Sequence, residues 1–200
     1  MFPEDFESDR LRFVRLCRTN VSVQELYRHM RAGAPGMSEA SEYLMWEPHR
    51  TPKDTDDYLD DIESRWESRE QATYAIYPRA DDEHQLAGTT NLNFDWDRRS
   101  AELGIWLRKP FWGRGYSGER AAQLLEMAFE QLDLELVGAS HQSGNDKSRR
   151  AIEKYVERFG GQYDGLLRNF VPNGDEVRDL HRYTISREQY RDATRADQDD

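Results

Sequence analysis

The sequence predicts an α+β fold: a central mixed, mostly antiparallel seven-stranded sheet flanked by about four helices. Three observations carry that prediction. Apolar and β-rich runs bounded by turn residues recur at 73–77, 85–94 and 100–107, the pattern of a strand meander. Ala121, Leu124, Leu125, Ala128, Phe129 and Leu132 then recur at three- and four-residue steps, as one buried helix face requires. Between the third strand and that helix lies Phe111-Trp112-Gly113-Arg114-Gly115-Tyr116-Ser117-Gly118-Glu119, a glycine-rich turn.

Taken in order, residues 1–9 are expected to be loose, and Leu11, Phe13 and Leu16 begin a first strand. Residues 21–31 read as a helix with Asn20 or Ser22 available as its cap, ended by Gly33-Ala34-Pro35-Gly36. The aromatic stretch Tyr43-Leu44-Met45-Trp46-Glu47-Pro48 lies within a polar loop region and suits either core packing or contact with a ligand. Thr51-Pro52 opens a second helix whose Tyr58, Leu59, Ile62 and Trp66 form a core-facing stripe. Turns at 79–83 and 95–99 join the three meander strands. After the central helix, residues 136–140 form a strand, 142–145 a loop and 148–159 a fourth helix that Gly160-Gly161 terminates. Two last strands, 163–170 and 177–185, are joined by Pro172-Asn173-Gly174-Asp175. The reading is one domain over 10–187 with a charged, frayed tail at 188–200.

The 200 residues carry 39 acidic and 28 basic side chains, for a net charge of −11, and the only lysines are Lys53, Lys109, Lys147 and Lys154. An acidic, lysine-poor surface fits a protein adapted to high salt, where self-repulsion is screened to about 3 Å at 1 M, with an ordinary acidic cytosolic protein as the alternative. With no basic face and no aromatic-basic interleaving, nucleic acid is not an expected partner. The one cysteine, Cys17, excludes an internal disulfide, reads as a buried strand thiol, and fits a reducing, cytoplasmic setting. The acidic N-terminus suggests no secretion signal, and no segment approaches membrane-spanning length. The five histidines show no metal spacing, so no metal is expected.

The glycine turn sets free backbone N–H groups at the positive end of a helix dipole, which suits a phosphate. Gly113 and Gly115 would let a ligand approach the backbone without Cβ interference, and Arg108, Lys109, Arg114 and Arg120 add positive charge. Gly113-x-Gly115-x-x-Gly118 also spells the dinucleotide fingerprint. Its context argues against that ligand: five residues separate it from the strand, and Glu135 opens the next strand where a ribose-binding acid would close it. Without Gly-Lys-Ser/Thr the stretch is not a Walker loop.

The run Ala101-Glu102-Leu103-Gly104-Ile105-Trp106-Leu107 followed by Phe111-Trp112-Gly113-Arg114-Gly115-Tyr116-Ser117-x-Glu119 resembles the acetyl-CoA-binding motif of the GNAT acetyltransferases, in particular the RimJ/RimL-like N-acetyltransferases. Asn145-x-x-Ser148 with Ile152-Glu153-Lys154 resembles the family's second cofactor-side motif, and Asp179 with Tyr183 its closing strand. The resemblance implies acetyl-CoA as donor and an amine as acceptor, such as a ribosomal or other protein N-terminus. It places the cofactor at Trp106, Leu107, Trp112, Gly113, Arg114, Gly115, Tyr116, Ser117, Gly118 and Asn145, with a backbone N–H near Trp106 or Leu107 meeting the oxyanion. Lys147, Arg149 and Lys154 are candidates for the 3′-phosphate or for pairs with carboxylates.

Glu102 matches the position of the family's general-base glutamate, and a carboxylate among apolar residues is expected to have a raised pKa. The family's usual acid, a tyrosine, is replaced by Ile152; Ser148 is the first candidate in its stead, with a helix cap as its structural alternative. Glu153-Lys154-Tyr155-Val156-Glu157-Arg158-Phe159-Gly160 departs from the usual Glu-Lys-Leu-Gly-Phe by a longer helix. The missing tyrosine leaves a second reading open, a catalytically weak acyl-CoA-binding or regulatory module, and a small-molecule amine is the alternative acceptor.

Overall fold

The computed structural model describes residues 1–44, 46–80, 85–173 and 176–199. The elements are β1 (Asp5–Glu7), β2 (Leu11–Arg15), α1 (Val23–Met30), α2 (Met37–Ser41), α3 (Pro52–Glu67), β3 (Gln71–Pro78), β4 (Gly88–Asp95), β5 (Ser100–Leu107), α4 (Tyr116–Glu126), β6 (Leu136–Gln142), α5 (Asp146–Arg158), β7 (Gln162–Asn173), β8 (Glu176–Ser186) and α6 (Arg187–Asp199). The strand order is β1-β2-β3-β4-β5-β6-β8-β7. β5 and β6 run parallel, from Ser100 opposite Leu136 to Leu103 opposite Ala139; a parallel pair needs a crossover, which α4 supplies. The pairs β1–β2, β2–β3, β3–β4, β6–β8 and β7–β8 are antiparallel. The α+β class and the mostly antiparallel sheet are as expected.

Two compact units divide the chain: Met1–Asn93 with Gly104–Tyr116, and Phe94–Leu103 with Ser117–Asp200. In the first, Leu16, Val21, Leu26, Met30, Leu59, Ile62, Ala75 and Trp106 form the core. Ser22 caps α1 by accepting the Glu25 N–H, and a Thr51–Asp54 capping box with Pro52 opens α3. Trp46 packs edge-on to Trp106 at 5.9 Å, so this part of the 43–48 stretch is core packing. Cys17 is buried just past β2. In the second unit, Leu124, Leu125, Phe129, Val137, Ile152, Val156, Phe159, Tyr183, Ile185 and Tyr190 are buried.

The structure differs from the sequence reading in four places. Residues 1–9 carry β1, paired to β2, with Phe2 buried edge-on to Trp66 at 5.1 Å. Two aromatics in a six-residue acidic stretch are enough to anchor it, and this strand raises the count from seven to eight. Residues 188–199 belong to α6, which charge alone would have left frayed. Tyr190 buries its ring against Phe129 and Phe159, and Arg187 pairs with Asp133. That helix and the short α2 raise the helices from four to six among the described residues. The central helix is α only to Glu126; a π turn takes Met127–Gln131. Met45, residues 81–84 of the first meander turn, and Gly174-Asp175 of the closing turn lie outside the described residues.

Candidate active site

β5 delivers the chain into the glycine turn. A single 3₁₀ turn at Lys109–Phe111 follows it, and the Trp112 indole N–H donates to the Leu107 carbonyl at 2.8 Å. Gly113 and Gly115 have φ of +74° and +81°, a left-handed backbone that glycine adopts freely. A Cβ added at Gly113 or Gly118 would meet nothing within 4 Å, and one at Gly115 only the end of Arg10 at 3.3 Å. The N–H groups of Gly113, Arg114 and Gly115 take no acceptor among the described residues. The turn is therefore an open backbone cradle at the start of α4, and it fits a pyrophosphate.

Arg10 holds this cradle from 104 residues away. Its guanidinium donates to the Arg114 carbonyl at 2.9 Å and lies 5.3 Å from the Tyr116 ring centroid. Nothing in the local sequence marked it. The other cations around the turn are distributed differently from the expectation. Arg114 sits over Phe111 at 5.1 Å, close to the cradle. Lys109 pairs with Glu39 at 2.5 Å, and Arg108 donates to the Leu86 carbonyl at 2.6 Å. Arg120 is a correction: it is 1 % exposed and faces the Tyr155 ring at 5.9 Å, because its place on α4 falls on the buried stripe. It adds no surface charge to the turn.

Glu102 lies on β5 directly opposite Gly138 of β6. Its carboxylate lies over that glycine, and Arg182 Nη2 of β8 donates to Oε1 at 3.0 Å. Partial burial pushes the Glu102 pKa above the ordinary carboxylate value; Arg182 pulls it back, and Asp164 pushes it up again. Asp164 is itself held by the Thr184 hydroxyl at 2.9 Å. Sequence reasoning missed Gly138 and Arg182, which look like an ordinary strand glycine and an ordinary surface arginine.

At the start of α5, Asn145 is the cap: its Oδ1 accepts the Ser148 N–H at 3.1 Å. Ser148 is thus not the cap, and its hydroxyl takes no partner among the described residues. Ile152 is buried, and Tyr155 turns inward onto Arg120 with 2 % exposure. Burial pushes its phenol pKa up, with Arg120 opposing. Arg149 is spent on Asp146 and Glu153. On β8, Asp179 accepts the Asn169 N–H at 2.7 Å, fixing the bulged part of β7, while the Tyr183 hydroxyl lies 3.3 Å from His141 Nε2.

Comparison with known proteins shows the family and the fold. The profile of the acetyltransferase (GNAT) domain family matches residues 15–155, so the chain belongs to the GNAT acetyltransferases, whose acetyl donor is acetyl-CoA. Among relatives, the Bacillus subtilis protein named "Putative ribosomal N-acetyltransferase YdaF" is 32% identical over 121 residues, 59% of this chain and 66% of its own length. The chain thus spans just under two thirds of that relative. A GCN5-related N-acetyltransferase from Brucella melitensis superposes with a TM-score of 0.78 at 20% identity, covering 98% of this chain and 86% of the other. A RimL ribosomal L7/L12 alpha-N-protein acetyltransferase, solved with coenzyme A, gives 0.77 at 14% identity, covering 92% and 98%. These two likenesses are of fold.

Proposed function

We propose that this protein is an acetyl-CoA-dependent N-acetyltransferase whose acceptor is the α-amine of a protein or peptide N-terminus, a ribosomal protein being the family-based choice. The observation that carries the reading is the open cradle at Gly113–Gly118, with left-handed glycines and unengaged N–H groups beside Arg114. In this reading the turn from Trp112 holds the pyrophosphate, and the backbone at Trp106 and Leu107 lines the pantetheine. Acetyl-CoA, when bound, supplies a thioester whose acetyl group passes to the amine. Glu102 takes the proton that the attacking nitrogen sheds, and its raised pKa makes it a better base than an ordinary glutamate. Ser148 is the group assigned to the departing thiolate, since Tyr155 is engaged in the core.

The acceptor follows from proton chemistry. An α-amine titrates near 7.7–8.0 and a lysine amine near 10.4, so at neutral pH roughly a tenth of the α-amine is already unprotonated. A lysine would need some 2.5 units more, about 3.4 kcal/mol, from a site with one carboxylate base. The test offers two matched peptides with acetyl-CoA: one with a free N-terminus and no lysine, the other N-blocked with an internal lysine. Thiol release and a mass shift on the first peptide are expected. Preferential acetylation of the blocked lysine peptide would overturn the acceptor, and no thiol release with any amine would favour the acyl-CoA-binding module.

A further inference from the structure

Resting on the reading of Glu102 as the base, we propose that Gly138 and Arg182 are the positioning residues that seat its carboxylate. Gly138 leaves the room over β6 that the carboxylate fills, and Arg182 fixes Oε1 so that Oε2 is left to accept the proton.

Gly138 is an ordinary strand residue in every other respect. Its φ is not in the left-handed range, so its backbone does not call for glycine. What excludes a side chain is Glu102: a Cβ at 138 would lie 2.1 Å from Oε1 and 2.4 Å from both Cδ and Oε2. Gly138 stands opposite Glu102 on one side and Thr184 on the other, so its empty face belongs to the same surface as both. Arg182 comes two residues before Thr184 and reaches the same face. Its Nη2 meets Oε1 at 3.0 Å, and Oε2 takes no hydrogen bond among the described residues. The proton-accepting step balances simply: an N–H bond of the acceptor breaks as an O–H bond forms at Oε2, and the positive charge of Arg182 stays where it is.

The groups that set the electrostatics of this seat come from three elements: Arg182 on β8, Asp164 on β7 and Tyr155 on α5. Arg182 is the one cation among them. Taking it away lets burial and Asp164 act on Glu102 unopposed, so the carboxyl titrates at higher pH.

The experiment follows the Glu102 carboxyl by ¹³C NMR titration and, in parallel, kcat and KM against pH. The proteins are wild type, Gly138→Ala, Arg182→Gln, Arg182→Lys and Glu102→Gln. Gly138→Ala is expected to lower kcat at least tenfold while the KM for acetyl-CoA stays within twofold. Arg182→Gln should raise the Glu102 titration midpoint and carry the acid limb of kcat with it, and Arg182→Lys should restore part of both. A folded Gly138→Ala that keeps kcat within twofold overturns the proposal. So does an Arg182→Gln that leaves the Glu102 midpoint unmoved, and this second arm decides if Gly138→Ala does not fold. Full kcat in Glu102→Gln would sink the base reading instead, and the NMR midpoints would still report whether the seat exists.

Discussion

The glycines of the turn and two glycines packed against the sheet, Gly138 in β6 and Gly161 just before β7, serve opposite ends. At Gly113 and Gly118 a Cβ would enter open space, whereas at Gly138 it would strike a carboxylate at 2.1 Å and at Gly161 the Ile185 side chain at 2.5 Å and the Thr184 carbonyl at 2.6 Å. The first kind keeps the backbone bare for something from outside; the second lets parts of the protein approach one another. An open backbone turn and a closely packed carboxylate are thus both built on glycine, one by leaving space and one by having it filled. The two kinds should respond differently to the same small substitution.

The largest effect is expected at the carboxylate that fills the space over Gly138. Glu102→Gln should lower kcat about 100-fold, with little change in the KM for acetyl-CoA, and flatten the acid limb of the pH profile. Steady-state kinetics from pH 5.5 to 9 check this; near-normal kcat throughout would make Glu102 structural.

Filling the space at Gly161 tests close approach without chemistry. Gly161→Ala drives a methyl into Ile185, Thr184 and Val156 and should cost about 1–3 kcal/mol of stability. Urea denaturation showing no loss would mean that the strand and helix there give way easily.

Next comes a histidine in the last turn of α1, His29. Burial, then Arg108 and Arg28, push the His29 pKa down to about 4, against about 6.5 in an unfolded chain. The unfolded chain therefore binds the proton first. The contribution of His29 is fully present above pH 6.5 and is lost as pH falls from there toward 4. Thermal melts should show His29→Gln with a shallower loss of Tm between pH 6.5 and 5 than wild type; parallel curves would count against a half-buried, neutral His29.

The smallest effect belongs to the open class. Gly118→Ala, in the first turn of α4 with nothing near its Cβ, should leave stability unchanged or raise it by up to about 1 kcal/mol. A clear loss in a melting experiment would show that the space is less open than the cradle requires.

How much of this was legible follows the same division. The turn could be read because its glycines, at 113, 115 and 118, lie close together in sequence and sit between a strand pattern and a helix pattern. The seat could not: Glu102 was visible as a carboxylate among apolar residues, but Gly138 and Arg182 reach it through strand register, and register is not written in either residue. Arg10 escaped for the same reason, being brought to Arg114 by the fold alone. Arg120 was misread because proximity in sequence to the turn says nothing about which face of α4 it occupies. The ends of the chain were misread because charge outweighed single aromatics: Phe2 and Tyr190 anchor what composition marks as loose.

The central claim is that the bare backbone at Gly113–Gly118 holds acetyl-CoA while Glu102 acts only on the acceptor. Calorimetric titration of acetyl-CoA into wild type, Glu102→Gln and Gly115→Val tests it in one series, with circular dichroism confirming that each protein is folded. The account predicts that Glu102→Gln binds within twofold of wild type and that Gly115→Val, which places a branched side chain at a φ of +81°, binds at least tenfold more weakly. A folded Gly115→Val with wild-type affinity would contradict it.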